Sequence, residues 1–322
     1  MLILLKVRDA GALYQSAMRS MSLSSRSAAV AVATLLLGGS GTGSAAQDLI
    51  GTPTHYVTRE EDTLLDIALD YDLGYVEIRA SNIGIDPWLP GAGHALVLST
   101  QHVLPDAPRR GIVINLPELR LYYFPDKGEP RTFPIGIGGE GFETPVGRTQ
   151  IARKRPHPTW YPTRSEREED AELPAVVAPG PDNPMGEFAL YLGWQGYAIH
   201  GTNRPYSIGR RDSHGCIRLY PADIETLYKL VQPGTPVTVV NQPVKLGWSA
   251  GELYLEVHAN QADAEALESS GTPRSSIAAD ADELVLKAAG AQADRLNWYA
   301  VHLAESERSG VPTLITLPRP HD

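Results

Sequence analysis

Two short blocks decide how this chain reads: Ile199-His200-Gly201-Thr202-Asn203, and then Ser213-His214-Gly215-Cys216-Ile217-Arg218, with twelve residues separating His200 from Ser213. Cys216 is the only cysteine among 322 residues, so it can form no internal disulfide. A thiol becomes a strong nucleophile only when ionised, and a neighbouring imidazole can take its proton. His200, at the end of a β-rich run, is the candidate base. The residues alone leave three roles open for Cys216: nucleophile, metal ligand or buried bystander. A catalytic zinc needs three protein ligands and an open position, and no acidic residue completes a spacing such as His-Glu-x-x-His. The bystander stands as the serious alternative, because free cysteine is among the most often buried residue types.

Around these blocks the chain is predominantly β. Gly111–Asn115, Leu119–Phe124, Thr132–Gly136, Gly147–Lys154, Phe188–Gly193 and Tyr197–Gly201 are short alternating or β-branched runs. One helix starts at Pro221, which suits a first helical turn. It places Ile224, Leu227, Tyr228 and Val231 on one face, with Gly234 beyond its end. A strand returns at Thr235–Asn241. Between Arg155 and Gly186 lies a Pro- and charge-rich stretch without periodicity, of a length typical of lids. Within it the acidic run Glu166 to Asp170 reads as a solvated face. Residues 250–322 read as an α/β extension, with a strand at Glu252–Val257, helices near Asp282–Ala288 and Asp294–Glu307, and a strand near Thr313–Leu317.

Upstream, Thr54 to Val103 reads as a small βααβ unit. Thr63 and Asp66 form a cap pair, and Leu64, Ile67, Ala68 and Tyr71 share one helical face. A second helix is expected over Tyr75–Ala80 and a strand over His94–Ser99, while Leu104–Arg110 reads as a linker. Residues 1–46 have the layout of a secretory signal: a basic stretch with Arg19 and Arg26, the ten-residue run Ala28–Leu37, and small residues Ser44 and Ala46 at the −3 and −1 positions of a cleavage site. Ten residues of helix span only ~15 Å, against a hydrocarbon core of about 30 Å, which argues for cleavage rather than anchoring.

The Ser-His-Gly-Cys block with an upstream His-Gly resembles the signature of the YkuD-type L,D-transpeptidases, over about residues 111–241. Tyr56-Val57, Asp62-Thr63-Leu64, Ile67-Ala68 and Asn82 resemble the landmarks of a LysM domain, over 54–103. The order of parts is similar to that of the periplasmic ErfK/YbiS-like group of Gram-negative bacteria. Two departures stand out: a short His200–Ser213 spacing, and Arg218 where many members carry Asn. The resemblance implies a mainly β catalytic domain, a YkuD-like β-sandwich or barrel with one main helix, joined to the βααβ LysM unit and the α/β tail. It implies a periplasmic enzyme without cofactor or metal, acting on peptidoglycan stem peptides and glycan strands, with an outer-membrane lipoprotein among the conceivable acyl acceptors. Cys216 would form a thioester with a tetrapeptide stem, releasing terminal D-alanine. His200 would be the base, with the Gly201 carbonyl orienting its ring, and Gly215 and Cys216 would offer oxyanion N–H groups. His214 would support them.

Net charge is −10, so nothing global favours nucleic acid or an anionic membrane. Against that background Arg204, Arg210, Arg211 and Arg218 crowd the signature. Arg218 and one other are expected to pair with substrate carboxylates and to lower the thiol pKa. Ser213 is expected to cap its turn, Thr202 to be a neighbour able to bond substrate amides, and Trp160 to stack on the stem or sugar.

Overall fold

The structure, a computed structural model, describes residues 47–270 and 281–319. The proposed signal segment lies outside the described residues. No described helix is long and apolar enough to cross a membrane.

The βααβ reading meets a matching chain path. Strand β1 (Leu49–Gly51) precedes β2 (Thr54–Val57), α1 (Leu64–Asp70), α2 (Tyr75–Ala80) and β3 (Ala95–Leu98), and β2 pairs antiparallel with β3. Thr63 Oγ1 accepts the Asp66 amide at 3.1 Å and donates to its carboxylate at 2.8 Å, an N-cap worth ~1 kcal/mol. Asn82, which is buried, donates through Nδ2 to the Ile78 and Val97 carbonyls and accepts the Val97 amide, tying α2 to β3. Leu64, Ile67, Leu73, Ile78, Leu96 and Leu98 form this unit's own core. Leu65, Tyr75, Val76 and Ala80 face the other way and join the main core of the molecule.

The main core is built on an eight-stranded mixed sheet. In chain order its strands are β5 (Gly111–Asn115), β6 (Arg120–Phe124), β7 (Arg131–Pro134), β9 (Gly147–Pro156), β10 (Phe188–Leu192), β11 (Ala198–His200), β13 (Ile217–Arg218) and β14 (Pro236–Val240); in space they run β13-β11-β10-β9-β14-β5-β6-β7. Two pairings are parallel, β11 with β13 and β14 with β5. A small parallel pair, β8 (Ile137–Gly138) with β12 (Arg211–Ser213), flanks one end. The two edges of the large sheet curl toward each other. Gly136, just past β7, exchanges backbone hydrogen bonds of 2.9 and 2.8 Å with Arg218 on β13. The expected single main helix is α4, at Pro221–Leu230 once the lid helix α3 (Arg164–Glu169) is counted, and it buries Ile224 and Leu227 against the sheet.

Besides β8, β12, β13 and the lid helix, two larger parts of the fold escaped the sequence reading. Strand β4 (Gln101–Val103) pairs with β1, and a C-terminal layer begins at β15 (Val244–Ser249), ahead of residue 250. That layer continues with β16 (Glu252–Val257), α5 (Gln261–Ser270), α6 (Ala281–Ala289), α7 (Trp298–Glu307) and β17 (Thr313–Leu314). The last long helix starts at Trp298, later than the expected Asp294. Asn297 caps it, accepting the Ala300 amide at 3.3 Å, and residues 290–295 form a separate 3-10 turn. The segment read as a linker is a pinned strap. Leu104 is buried, and Asp106 exchanges backbone bonds with the Gln242 side chain.

Beneath the strap, three layers meet at a buried charge cluster. Lys245 Nζ lies 2.8 Å from both Glu118 Oε1 and Glu256 Oε1 and donates to the Val103 carbonyl at 2.7 Å. His258 Nε2 reaches Glu256 at 2.7 Å, and Arg120 Nη2 reaches Glu77, on α2, at 3.0 Å. His102 sits among these carboxylates, pushed below its usual range first by burial and then by the Arg120 charge.

Candidate active site

The alternation of β10, β11 and β13 places the two key side chains. Leu190, Ile199 and Ile217 belong to the main core. Their neighbours Ala189 and Ala198 form a second cluster with Met185, against which Cys216, Trp160 and Tyr191 pack. Ala189 is the register partner of His200, and Ile199 that of Ile217. Because side chains alternate along a strand, His200 and Cys216 therefore stand on the same face of neighbouring strands, opposite the main core.

His200 is buried, at 5% exposure, and its Nδ1 lies 2.6 Å from the Gly201 carbonyl oxygen. That carbonyl can only accept, so Nδ1 carries the hydrogen and Nε2 of the neutral ring holds the lone pair. Burial first, and the Arg218 guanidinium second, push His200 down to about 4, while the carbonyls of Gly201 and Met185 oppose the shift. The ring is thus neutral at pH 7. Cys216 is half-buried, and its thiol is pushed up by burial, against the Ala198 amide and Arg218, which lower it. Arg218 acts on the thiol in the expected direction, but desolvation outweighs it. The resting pair is a thiol and a neutral imidazole, not an ion pair.

The turn before the cysteine is tied from inside. Ser213 Oγ donates to the Cys216 carbonyl at 2.6 Å and accepts the Gly215 amide at 3.2 Å. The Gly215 N–H, expected to face an oxyanion, is therefore engaged by Ser213 here, and the Ser213 hydroxyl is turned to backbone rather than offered to a ligand. Gly215 has φ +98°, a conformation side-chain-bearing residues rarely adopt, and an added Cβ would lie 2.9 Å from the Tyr197 ring. Thr144, buried, donates to the Gly215 carbonyl at 2.9 Å and accepts the Gly138 amide at 3.1 Å.

The lid comes down on this turn. His214 Nε2 is 3.0 Å from Glu169 and its Nδ1 3.6 Å from Glu166, while Phe142 stacks tilted at 4.4 Å. The acidic run read as a solvated face therefore places two of its carboxylates on the catalytic block. Helix α3 survives there despite its charge because Thr163 and Glu166 form a reciprocal capping box. At the lid's base Trp160 and Val177 exchange backbone bonds of 2.9 Å, leaving Trp160 packed on the same Met185–Ala189–Ala198 cluster as Cys216, and Tyr161 exposed. Asn183, fully buried, donates to the Pro158, Val177 and Ala178 carbonyls and accepts the Met185 amide, closing the lid's two ends on each other.

The four arginines separate. Arg218 Nη1 pairs with Asp212 at 2.9 Å, and Arg211 is half-buried on β12. Arg210 is engaged elsewhere, pairing with Glu268 on α5 and lying over the Tyr75 ring. Thr202 is buried, and its Oγ1 accepts the Arg204 amide at 2.9 Å. Two described groups have metal-ligand spacing, His102-Glu118-Glu256 and Asp282-His302-Glu305, and neither includes a residue of this site. In the first, Lys245 already stands where a cation would.

Comparison with known proteins brings the geometry to a family. Residues 109–239 match the YkuD family, the L,D-transpeptidase catalytic domain. The chain is 45% identical over 214 residues to the Probable L,D-transpeptidase YcfS of Escherichia coli K12, covering 63% of this chain and 67% of that one. It is 43% identical over 219 residues to the Probable L,D-transpeptidase ErfK/SrfK of Salmonella typhimurium LT2, covering 65% of this chain and 71% of that one. The chain belongs to the L,D-transpeptidase family.

As an L,D-transpeptidase it spans about two thirds of these relatives, and 64% of the E. coli Probable L,D-transpeptidase YbiS at 46% identity. The solved catalytic domain of the E. faecium enzyme superposes partially, with TM-score 0.34 at 25% identity over 42% of this chain and all of that one. Thr144, Phe142 and Glu169 contact the candidate turn, and Asn183 ties the lid's ends, without any of the four having been proposed as a site residue from the sequence. Asn183 carried a signal, a polar residue inside the Asn183-Pro184-Met185-Gly186 turn; the other three touch the site only through the fold.

Proposed function

We propose that this transpeptidase transfers the acyl group of a peptidoglycan tetrapeptide stem through a thioester on Cys216, forming 3-3 crosslinks or attaching a protein to the wall. The observation that carries the reading is a neutral, buried imidazole with its Nδ1 hydrogen on the Gly201 carbonyl, on the same sheet face as the only thiol. A base of this kind is needed because the thiol is protonated at rest. As Sγ attacks the carbonyl of the third stem residue, its proton passes to His200 Nε2 and a C–S bond forms. The C–N bond to D-alanine then breaks and the leaving amine takes the proton. In the second half an amine attacks the thioester carbonyl and forms a C–N bond, its proton passes to His200 Nε2, the C–S bond breaks, and the departing sulfur takes that proton to restore the thiol and the neutral imidazole.

Oxyanion stabilisation falls to the backbone N–H groups of Gly215 and Cys216, with the Gly215 amide moving from Ser213 Oγ to the developing charge; one such donor is worth about 2.7 to 4 kcal/mol of barrier. Arg218 and Arg211 take the roles of carboxylate partners for the stem. Trp160 walls the acyl site, and Thr202 and His214 support it. The βααβ unit at 54–103 is read as a LysM module that holds glycan, and the segment 1–46 as a signal that delivers the enzyme to the periplasm. Muropeptide mass spectrometry with wild type and Cys216→Ala tests the reading. New crosslinks or protein adducts with loss of D-alanine from wild type alone support it. Identical products from both proteins end it, and D-alanine loss without any adduct makes the enzyme a carboxypeptidase.

A further inference from the structure

The loop that feeds the nucleophile is held from outside the catalytic sheet. Gly209, at φ +76°, runs so close to the start of α2 that an added Cβ would lie 2.1 Å from the Tyr75 amide nitrogen. The Tyr75 and Val76 amides donate to the carbonyls of Ile208 and Gly209 at 3.2 and 3.1 Å, so this loop satisfies N–H groups that the first turn of α2 leaves without helical partners. Next in the chain, Arg210 is gripped on three sides. Its guanidinium carbon stands 3.7 Å from the Tyr75 ring centroid, its Nε donates to the Tyr206 carbonyl at 3.0 Å, and its Nη1 pairs with Glu268 on α5. Its own carbonyl accepts the Ile137 amide at 3.0 Å. The next three residues are β12, and Ser213 at its end holds the turn to Cys216.

Helix α5 is itself seated firmly. Ala264 and Leu267 enter the main core, and the Leu267 carbonyl accepts Arg79 Nη2 at 3.3 Å. We infer that Glu268 is a positioning residue for Cys216: by fixing Arg210 over Tyr75 it sets where β12 enters the Ser213–Cys216 turn, and so makes the C-terminal layer a brace for the nucleophile. Being tied to backbone and aromatic face as well as to carboxylate, Arg210 loses its preferred direction, not its place, when the charge at 268 is removed. The pair is partly shielded, with side-chain exposures of 18% and 30%, so solvent does not screen it away.

The inference rests on the transpeptidase reading for its turnover assay but not for its second readout, alkylation of the single thiol. In the full chain, Glu268→Gln is expected to lower kcat for D-alanine release about tenfold with KM within about twofold, less than the ~100-fold that a 1 Å misplacement at a reacting centre can cause. The pH profile of Cys216 alkylation by iodoacetamide should shift with it. Glu268→Asp, which keeps the carboxylate on α5, should retain most of both. Wild-type kcat and an unmoved alkylation profile in Glu268→Gln would overturn the brace, whatever happens to the melting temperature. If wild type forms no thioester while Glu268→Gln still moves the alkylation profile, the transpeptidase reading fails and the brace stands.

Discussion

His200 and Cys216 show how burial tunes two residues in opposite directions. Desolvation disfavours charge on both, pushing the imidazole down to about 4 and the thiol above its usual 9.0. The free enzyme's alkylation by iodoacetamide is therefore expected to climb on an alkaline limb above pH 9, where a preformed ion pair would give a plateau near neutrality; a neutral plateau in the measured profile would contradict this. His200→Ala is expected to lower turnover by about 10²- to 10⁴-fold, the usual worth of a positioned base, with far-ultraviolet circular dichroism unchanged. Both residues stand out in the sequence as a candidate pair, because a thiol nucleophile needs a base of this type near it. The direction in which each is shifted is not legible there, since it depends first on burial and then on Arg218, Ala198, Gly201 and Met185.

At the level of elements, the lid is a loop with a six-residue helix supported by its capping box, by Arg167 donating to the Pro162 carbonyl, by an Arg164–Glu168 pair and by its contact with His214. The sequence showed a charged stretch without periodicity, and no apolar face exists there to be read. His214→Ala removes the ring that faces Glu166 and Glu169. Exposed pairs of this kind contribute up to ~1 kcal/mol, so limited proteolysis within residues 157–186 should speed up by about fivefold at most. An unchanged cleavage rate would show that Asn183 and the Trp160–Val177 bridge hold the lid without His214. Strands and α4 were legible because β-branched runs and the Pro221 start state their own period. β1 and β4 were missed because three-residue strands carry too little pattern, and α5 because its alanines mark no strong face.

Across the whole molecule, the βααβ unit, the sheet and the C-terminal layer are joined by charges that have no access to water. Lys245→Met would leave Glu118 and Glu256 buried without their cation, and breaking such a pair from one side costs about 3–5 kcal/mol, to be read from urea unfolding. A midpoint equal to wild type would show the cluster to be dispensable. Asp223, on α4, is pushed up to about 7 by burial and then by Asp72 of the βααβ unit. Its folded pKa lies above its unfolded value near 3.8, so the folded state binds the extra proton and stability rises as pH falls through 7. The gap is worth at most ~4 kcal/mol. Between pH 8 and 6.5 protonation of His200 and His102 in the unfolded state weakens wild type and Asp223→Asn alike, so the melting temperature of the variant should respond less favourably to acidification than that of wild type; equal slopes would remove Asp223 as the cause. By itself the sequence determined the longer strands, the Thr63 cap and the candidate thiol, because these follow from local period and from side-chain type. Only the tertiary structure decided that Arg210 is engaged by Glu268 and Tyr75, that acidic residues come down on His214, and that the tail reaches the nucleophile's loop. Those contacts join residues up to 58 positions apart, between Arg210 and Glu268, and no local pattern encodes them.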